Sequence, residues 1–397
     1  MASSRDLELL IGPDAGDILR AALRPTGAEV ESWRAQQVDH QPEHRSTVAY
    51  RVRVRWPGGR STEERFAAST GPVRGDALVV GDGVDRVAVW RFPHDPDLPG
   101  LATAYDSGAV ARLLADSGLG SGRVRLTLRA YRPRRRAVIE AVGACGRLFL
   151  KVVRPGRAES LHRRHRLLTG AGVPAPPSLG FTPDGVLVLQ ALPGRPMRQV
   201  LWTSGAAVPS GEEILALLDR LPAALLDAPR RRSWLDRSEH YAAVVGAALP
   251  AEADRAHQLA AAIVARAGTG PTVPVHGDFY ENQVHVQAGR ISGLLDVDTA
   301  GPGDRLDDLA CLLAHLSVLA LIEPRRAAAV NRLGARYLAG FERVVDRAAL
   351  RYRVAAVALS LATGPHRVQE PGWEAGTRHR LDLVEQWLDS APTRAGG

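Results

Sequence analysis

The decapeptide Thr47–Trp56, TVAYRVRVRW, alternates apolar and basic residues through its second half. That period of two marks a strand with one buried face and one solvated face. Similar strand-like runs lie at Glu29–Gln37, Thr62–Ala68 and Val87–Phe92, and WPGGRS between two of them carries the glycines of a hairpin turn. Pro13–Leu23 and Gly108–Ser117 have helical patterning, the second ended by Gly118 and Gly120. A helix packed on an antiparallel sheet is the simplest assembly, so residues 1–120 are expected to form an α+β domain of their own.

A second strand-rich stretch covers 121–195. Its strands are predicted at Val124–Ala130, Ala137–Val142, Leu148–Val153 and Val186–Gln190, with a helix over Ala158–Thr169. From 196 to 397 the pattern is predominantly helical. It breaks near 273–298 into short apolar, strand-like pieces, VPVHGD, NQVHVQ and ISGLLDVD. Three parts are therefore expected: 1–120, 121–195 and 196–397.

Composition narrows the partners. The net charge is +8 and the excess lies in the first half, especially at Arg132–Arg136 and Arg154–Arg166. Aromatic residues make up only 5%, with none interleaved among these arginines as a stacking platform, which argues against nucleic acid. Runs of about eighteen apolar residues are missing, so no membrane-spanning helix is expected. The opening MASSRDLELLIGPDAGDI lacks signal-peptide architecture, and a cytoplasmic setting is expected. Cys145 and Cys311 sit in apolar surroundings and read as buried free thiols, in keeping with a reducing compartment. Among 51 basic residues there is a single lysine, Lys151, in RLFLKVV.

The densest chemistry is VHGDFYENQVHVQAGRISGLLDVDTAGPGDRLDDLA. One apolar strand runs into His276-Gly277-Asp278; Asn282 and Gln283 follow; a second apolar strand ends at Asp296 and Asp298. Carboxylates at two strand ends, with an amide between them, make an all-oxygen donor set suited to magnesium.

His276-Gly277-Asp278-x4-Gln283, then Leu295-Asp296-x-Asp298 and Gly303-Asp304-x3-Asp308-Leu309-Ala310, resembles the aminoglycoside phosphotransferase and choline kinase-like family. The resemblance covers roughly 121–390. It implies the bilobal protein-kinase-like fold, with a small antiparallel β lobe and a large helical lobe, here preceded by the α+β domain. Two hairpin strands, a third strand, a helix and two further strands is the small-lobe order. By that resemblance Asp278 matches the catalytic aspartate that orients the acceptor hydroxyl and takes its proton. Asp296 matches the magnesium-binding aspartate, Asp298 is a possible second metal contact, and His276 and Asp308 match positions that brace the loop. Gln283 stands where the family usually has Asn, with Asn282 one position early; the maltokinase-like branch is similar in having Gln here and an extra N-terminal domain.

On the nucleotide side, Lys151 falls on the third small-lobe strand, where a compact ammonium contacts the nucleotide phosphates and Arg is no equivalent. The resemblance places Arg164 where the lysine's glutamate partner usually stands, and Glu159 is the nearest acid of that helix. The turn Tyr131–Arg136, YRPRRR, has no glycine, so Arg134 and Arg135 are candidates to reach phosphates in place of a glycine-rich loop. LVLQALPGRPM resembles the hinge, whose backbone around Gln190–Leu192 would bind the purine of ATP or GTP. On the acceptor side Glu281 follows the catalytic aspartate, and Glu370 and Trp373 lie in QEPGWEAG, a type of loop that suits sugars. The expected function is a magnesium-dependent kinase phosphorylating a small-molecule hydroxyl. A sugar or amino sugar comes first as acceptor, then an aminoglycoside or other antibiotic, then an amino alcohol such as choline. The alternative is a nucleotide-binding pseudokinase scaffold.

Overall fold

A computed structural model of the chain describes residues 2–392 apart from 43, 82–85, 204–206, 267 and 269. It contains two compact units. One comprises Met1–His162, Ser178–Ala191 and His366–Pro371; the other comprises Arg163–Pro177, Leu192–Pro365 and Gly372–Gly397. The class is α+β, and among the described residues no helix is long and apolar enough to cross a membrane.

The first unit holds two five-stranded antiparallel sheets. In the N-terminal one the order is β1 (Glu29–Gln41), β2 (Arg45–Arg55), β3 (Ser61–Ser69), β5 (Val87–Arg91), β4 (Leu78–Val80). Alternation in TVAYRVRVRW does what its period demands: Val48, Tyr50, Val52 and Val54 are buried, while Arg53 and Arg55 face water. The helices Ala2–Ile11 and Asp14–Leu23 cover that apolar face through Leu10 and Leu19, and the Tyr50 hydroxyl donates to the Leu10 carbonyl at 2.6 Å. Gly58 and Gly59, both at positive φ, turn the chain from β2 into β3.

The second sheet runs β6 (Arg125–Arg132), β7 (Arg136–Gly143), β8 (Gly146–Val153), β10 (Val186–Gln190), β9 (Ser178–Phe181). The helix Arg157–Gly170 follows β8, which reproduces the small-lobe order expected from the sequence. The helix Ser107–Asp116, N-capped by Asp106, packs here and not on the first sheet: Val110 and Leu114 join Ile139, Leu150 and Val188 in one core. The second module therefore begins ahead of residue 120. Cys145, expected to be buried, is exposed in the β7–β8 turn, because the apolar residues around it belong to the strands and the turn itself projects into water.

The β6–β7 turn corrects another expectation. Arg134, at φ +63°, is only 4% exposed. Its guanidinium donates to Asp97 Oδ2 at 2.9 Å, to Ser69 Oγ at 2.8 Å and to the carbonyl of Pro72, all in the N-terminal module. Its backbone N–H and the Tyr131 hydroxyl donate to Asp95, and Arg154 bonds both Asp97 and the Arg134 carbonyl. Burial pushes the Asp95 carboxyl above the ordinary carboxylate range. Arg134 thus ties the two sheets of this unit together, and its guanidinium is buried in that role.

The second unit is mainly helical. At its centre Arg305–Ile322 and Arg347–Ala362 are apolar on nearly every side, as helices surrounded by protein must be. Two small antiparallel sheets, β11 (Arg195–Pro196), β13 (Val284–Gln287), β14 (Arg290–Leu294) and β12 (Thr272–Val275), β15 (Gly301–Asp304), carry the acidic segments.

Removing the Arg134 side chain leaves Asp97 buried with much of its compensation gone. Arg134→Ala should lose about 3–5 kcal/mol of unfolding free energy in a urea titration. Arg135→Ala, which gives up only an exposed pair to Asp39 at 3.6 Å, should lose less than about 1 kcal/mol. Equal losses would remove Arg134 from this structural role.

Candidate functional site

The acid-bearing loop of the second unit is held from below by one carboxylate. Asp308, in the first turn of Arg305–Ile322, is fully buried and accepts the backbone N–H of His276 at 2.7 Å and of Gly277 at 2.8 Å. Those amides follow the last residue of β12, where the strand can no longer pair them. Gly277 sits at φ +79°, and a Cβ there would lie 2.8 Å from the Thr299 carbonyl oxygen, so only glycine makes this turn.

His276 links the two acidic strand ends. Its Nε2 bonds the Leu295 carbonyl at 2.8 Å, and its Nδ1 accepts the Asp278 N–H at 3.3 Å. The tautomer that satisfies both carries its proton on Nε2. The imidazole thus holds Asp278 and the residue before Asp296 in one arrangement, and Thr299 closes it by donating to the His276 carbonyl at 2.7 Å. Leu295 N–H donates to the Gln283 carbonyl at 2.7 Å, which sets Gln283 beside the same strand end. Asp296 adopts left-handed backbone, φ +52°, an uncommon conformation that costs energy for a non-glycine residue and is concentrated at functional positions. Asp278, Asp296 and Asp298 are half-buried, and Gln283 is buried. Carboxylate and amide oxygens at these positions are the hard donors that magnesium prefers.

The other expected residues are distributed as follows. Glu281 is fully enclosed and ion-paired to Arg198, and burial raises its carboxyl above the ordinary range. That setting suits a buried brace better than a group meeting substrate. Glu370 is exposed and belongs to the first unit; Trp373 is half-buried in the second, where it opens the helix Trp373–Ser390, so QEPGWEAG is less a loop than a helix start. In the first unit Lys151 lies on β8 between Val138 and Leu187 and is 6% exposed. Gln190, exposed, ends β10 in the first unit, and Leu192, buried, begins the second unit's next segment. Arg164, in the second half of its helix, donates to the Asp298 carbonyl, so it supports the turn that carries Asp296 and Asp298; Glu159 is exposed.

Two residues near Asp278 were not placed at the site by the sequence, although Cys311 is the buried free thiol expected. Cys311 is buried with its Sγ 3.9 Å from Asp278 Oδ1, and the His315 ring stacks on Tyr280 at a centroid separation of 4.0 Å. The available signal was spacing, since positions 311 and 315 share a helix face three residues beyond Asp308.

Burial raises the Asp308 carboxyl to about 6. A folded-state value above the unfolded one, about 3.9, means that stability from this group is present at lower pH. It is lost as pH rises through about 6. The stability of the parent minus that of Asp308→Asn should therefore shrink between about pH 4 and pH 6, read from urea unfolding at each pH. A difference that grows with pH over this window contradicts the assignment.

The model of the phosphotransferase enzyme family matches residues 129–351, more than half of the chain. Solved structures resemble it at low identity. A macrolide 2'-phosphotransferase from Brachybacterium faecium, as apoenzyme, is 21% identical with a TM-score of 0.43, over 69% of this chain and 98% of that one. A choline/ethanolamine kinase family protein from Mesorhizobium loti is 18% identical with a TM-score of 0.44, over 67% and 88%. A thermostable mutant of an aminoglycoside phosphotransferase, in ternary complex with AMP-PNP and hygromycin B, is 17% identical with a TM-score of 0.49, over 73% and 99%. No curated protein matches the chain. With its HGD turn braced by Asp308 inside the matched span, this chain belongs to the phosphotransferase enzyme family.

Proposed function

We propose that the chain transfers the γ-phosphoryl group of ATP or GTP to a hydroxyl of a small molecule, a sugar or amino sugar first among the candidates. The observation that carries this reading is the His276 bridge, which fixes Asp278 and the strand end before Asp296 in one piece of backbone. Asp278 orients the acceptor hydroxyl and receives its proton as the phosphoryl group leaves the nucleotide. Asp296 and Gln283 fit magnesium by donor type, all oxygen, and would hold it, with Asp298 as a further contact. When bound, magnesium neutralises charge on the phosphates. Lys151 contributes a fixed ammonium to the nucleotide phosphates, and the backbone at Gln190–Leu192 supplies hydrogen bonds to the purine. Preorganised positioning and charge carry the catalysis, with no covalent enzyme intermediate.

One observation favours a second reading, a scaffold that binds nucleotide without transferring phosphate. The β6–β7 turn has no glycine, and its Arg134 is held in a buried network, so the backbone cradle usual for phosphates is not built there. A panel of sugars, amino sugars, aminoglycosides, macrolides and amino alcohols, assayed with ATP and GTP and magnesium, separates the two. Phosphorylated product supports the enzyme, and tight nucleotide binding with no product across the panel supports the scaffold.

Asp278→Asn should lower kcat by about 10²–10⁴ with the nucleotide KM little changed. Lys151→Arg should lower kcat/KM for nucleotide by about 10² or more, since the planar guanidinium does not reproduce a compact ammonium at a buried strand position. A fully active Lys151→Arg enzyme would remove the lysine from nucleotide handling.

A further inference from the structure

Asp278, Cys311 and His315 each offer a ligand atom, and these atoms all lie within 4.8 Å of one another. Ligands of a tetrahedral zinc ion stand about 3–4 Å apart, given bond lengths of about 2.0–2.3 Å. The Cys311 Sγ to Asp278 Oδ1 separation is already 3.9 Å. Cys311 and His315 are four residues apart on the rigid helix Arg305–Ile322, the spacing that puts two side chains on one face. The third donor comes from a loop pinned to the same helix by Asp308. His315 is further positioned by its near-parallel stack on Tyr280, with 18° between ring planes. Cys311 is enclosed, but Asp278 and His315 are half-buried, which leaves an approach from their side.

The donor set differs in kind from that of Asp296 and Gln283. One sulfur, one imidazole nitrogen and one carboxylate oxygen select zinc or cobalt, whereas magnesium avoids thiolates. Three protein ligands leave a fourth position for water, as in open zinc sites. Without metal, Cys311 is a free thiol whose S–H donates toward Asp278 Oδ1. Binding must replace that proton: the S–H bond breaks, a sulfur–metal bond forms, and one proton passes to solvent.

We propose that Asp278, Cys311 and His315 form a binding site for a thiophilic divalent cation, zinc first, and that its occupation silences the enzyme by taking Asp278 as a ligand. The inhibitory half rests on the reading of Asp278 as the base; the binding half does not. A carboxylate with one oxygen bound to zinc has that oxygen occupied and its other oxygen made less basic by the cation, so it is a poor acceptor for the hydroxyl proton. Magnesium at the other oxygen donors would not relieve the block.

The test uses the full chain carrying Cys145→Ser, which removes the exposed second thiol. Cobalt(II) is titrated with magnesium held in excess. One equivalent should produce a near-ultraviolet thiolate-to-cobalt charge-transfer band, which zinc then displaces. Cys311→Ala should abolish the band. His315→Gln, at a half-exposed position with little risk to folding, should weaken cobalt affinity by about 10-fold or more. In parallel, zinc should inhibit phosphotransfer despite excess magnesium, and each variant, compared with its own zinc-free rate, should need at least about 10-fold more zinc. A missing charge-transfer band, or cobalt affinity unchanged in His315→Gln, overturns the site. Bound cobalt with no phosphotransfer anywhere in the acceptor panel would leave the site standing and sink the kinase reading instead. Active enzyme whose zinc sensitivity is the same in parent and variants would sink the site and leave the kinase reading intact.

Discussion

Two backbone amides converging on the buried carboxylate of Asp308 are the contact on which the rest of the acidic loop depends. A strand that stops pairing at Val275 leaves N–H groups that cannot be abandoned inside a protein. Asp308 meets them from a helix whose other faces are packed in the core, so the loop inherits the rigidity of that helix. Everything downstream follows from the turn thus fixed. Gly277 takes the left-handed conformation, His276 swings under the loop to reach Leu295, and Asp278 and Asp296 are carried to neighbouring strand ends. The half-buried carboxylates are placed by one that is fully enclosed.

The first unit solves a different problem with the same means. Its two sheets each have their own core, and Arg134, Asp97, Asp95, Tyr131 and Arg154 join them in a polar network, beside the edge-on contact of Phe92 with Tyr131. Burying so many polar groups is tolerable only when nearly all are satisfied, and such a network favours one geometry over its alternatives. The β6–β7 turn serves assembly in this way, through the backbone and guanidinium of Arg134.

Local signals were the legible ones. Period-two alternation in β2, the WPGGRS turn and the apolar runs ending in His276-Gly277-Asp278 and Leu295-Asp296 each report a constraint that acts within a few residues. What could not be read was where an element goes once formed. The helix Ser107–Asp116 was visible, but nothing in it shows that Val110 and Leu114 meet Ile139 of the second sheet. Arg134 looks like any solvated arginine until Asp97, thirty-seven residues earlier, is brought against it. Cys145 and Cys311 share apolar neighbours in sequence, yet one sits in a turn and the other in a helix interior. The helix Ala2–Ile11 went unread because acids interrupt its short apolar run, although Leu7 and Leu10 are buried. Trp373 was placed in a loop because Pro371 and Gly372 look like a breaker; they act as the lead-in to a helix.

The buried lysine on β8 bears on how such a chain can be modified. Acylation of lysine, ubiquitin attachment to lysine and lysine-directed crosslinking need an accessible side-chain amine, and the single side-chain amine of this chain is 6% exposed. Fifty of its fifty-one basic residues are arginine, so the chain keeps a net charge of +8 while leaving that chemistry almost nothing to react with. Post-translational control by lysine acylation, where it occurs at all on a side chain of this protein, has a single address, and opening the strand environment around Lys151 is its precondition.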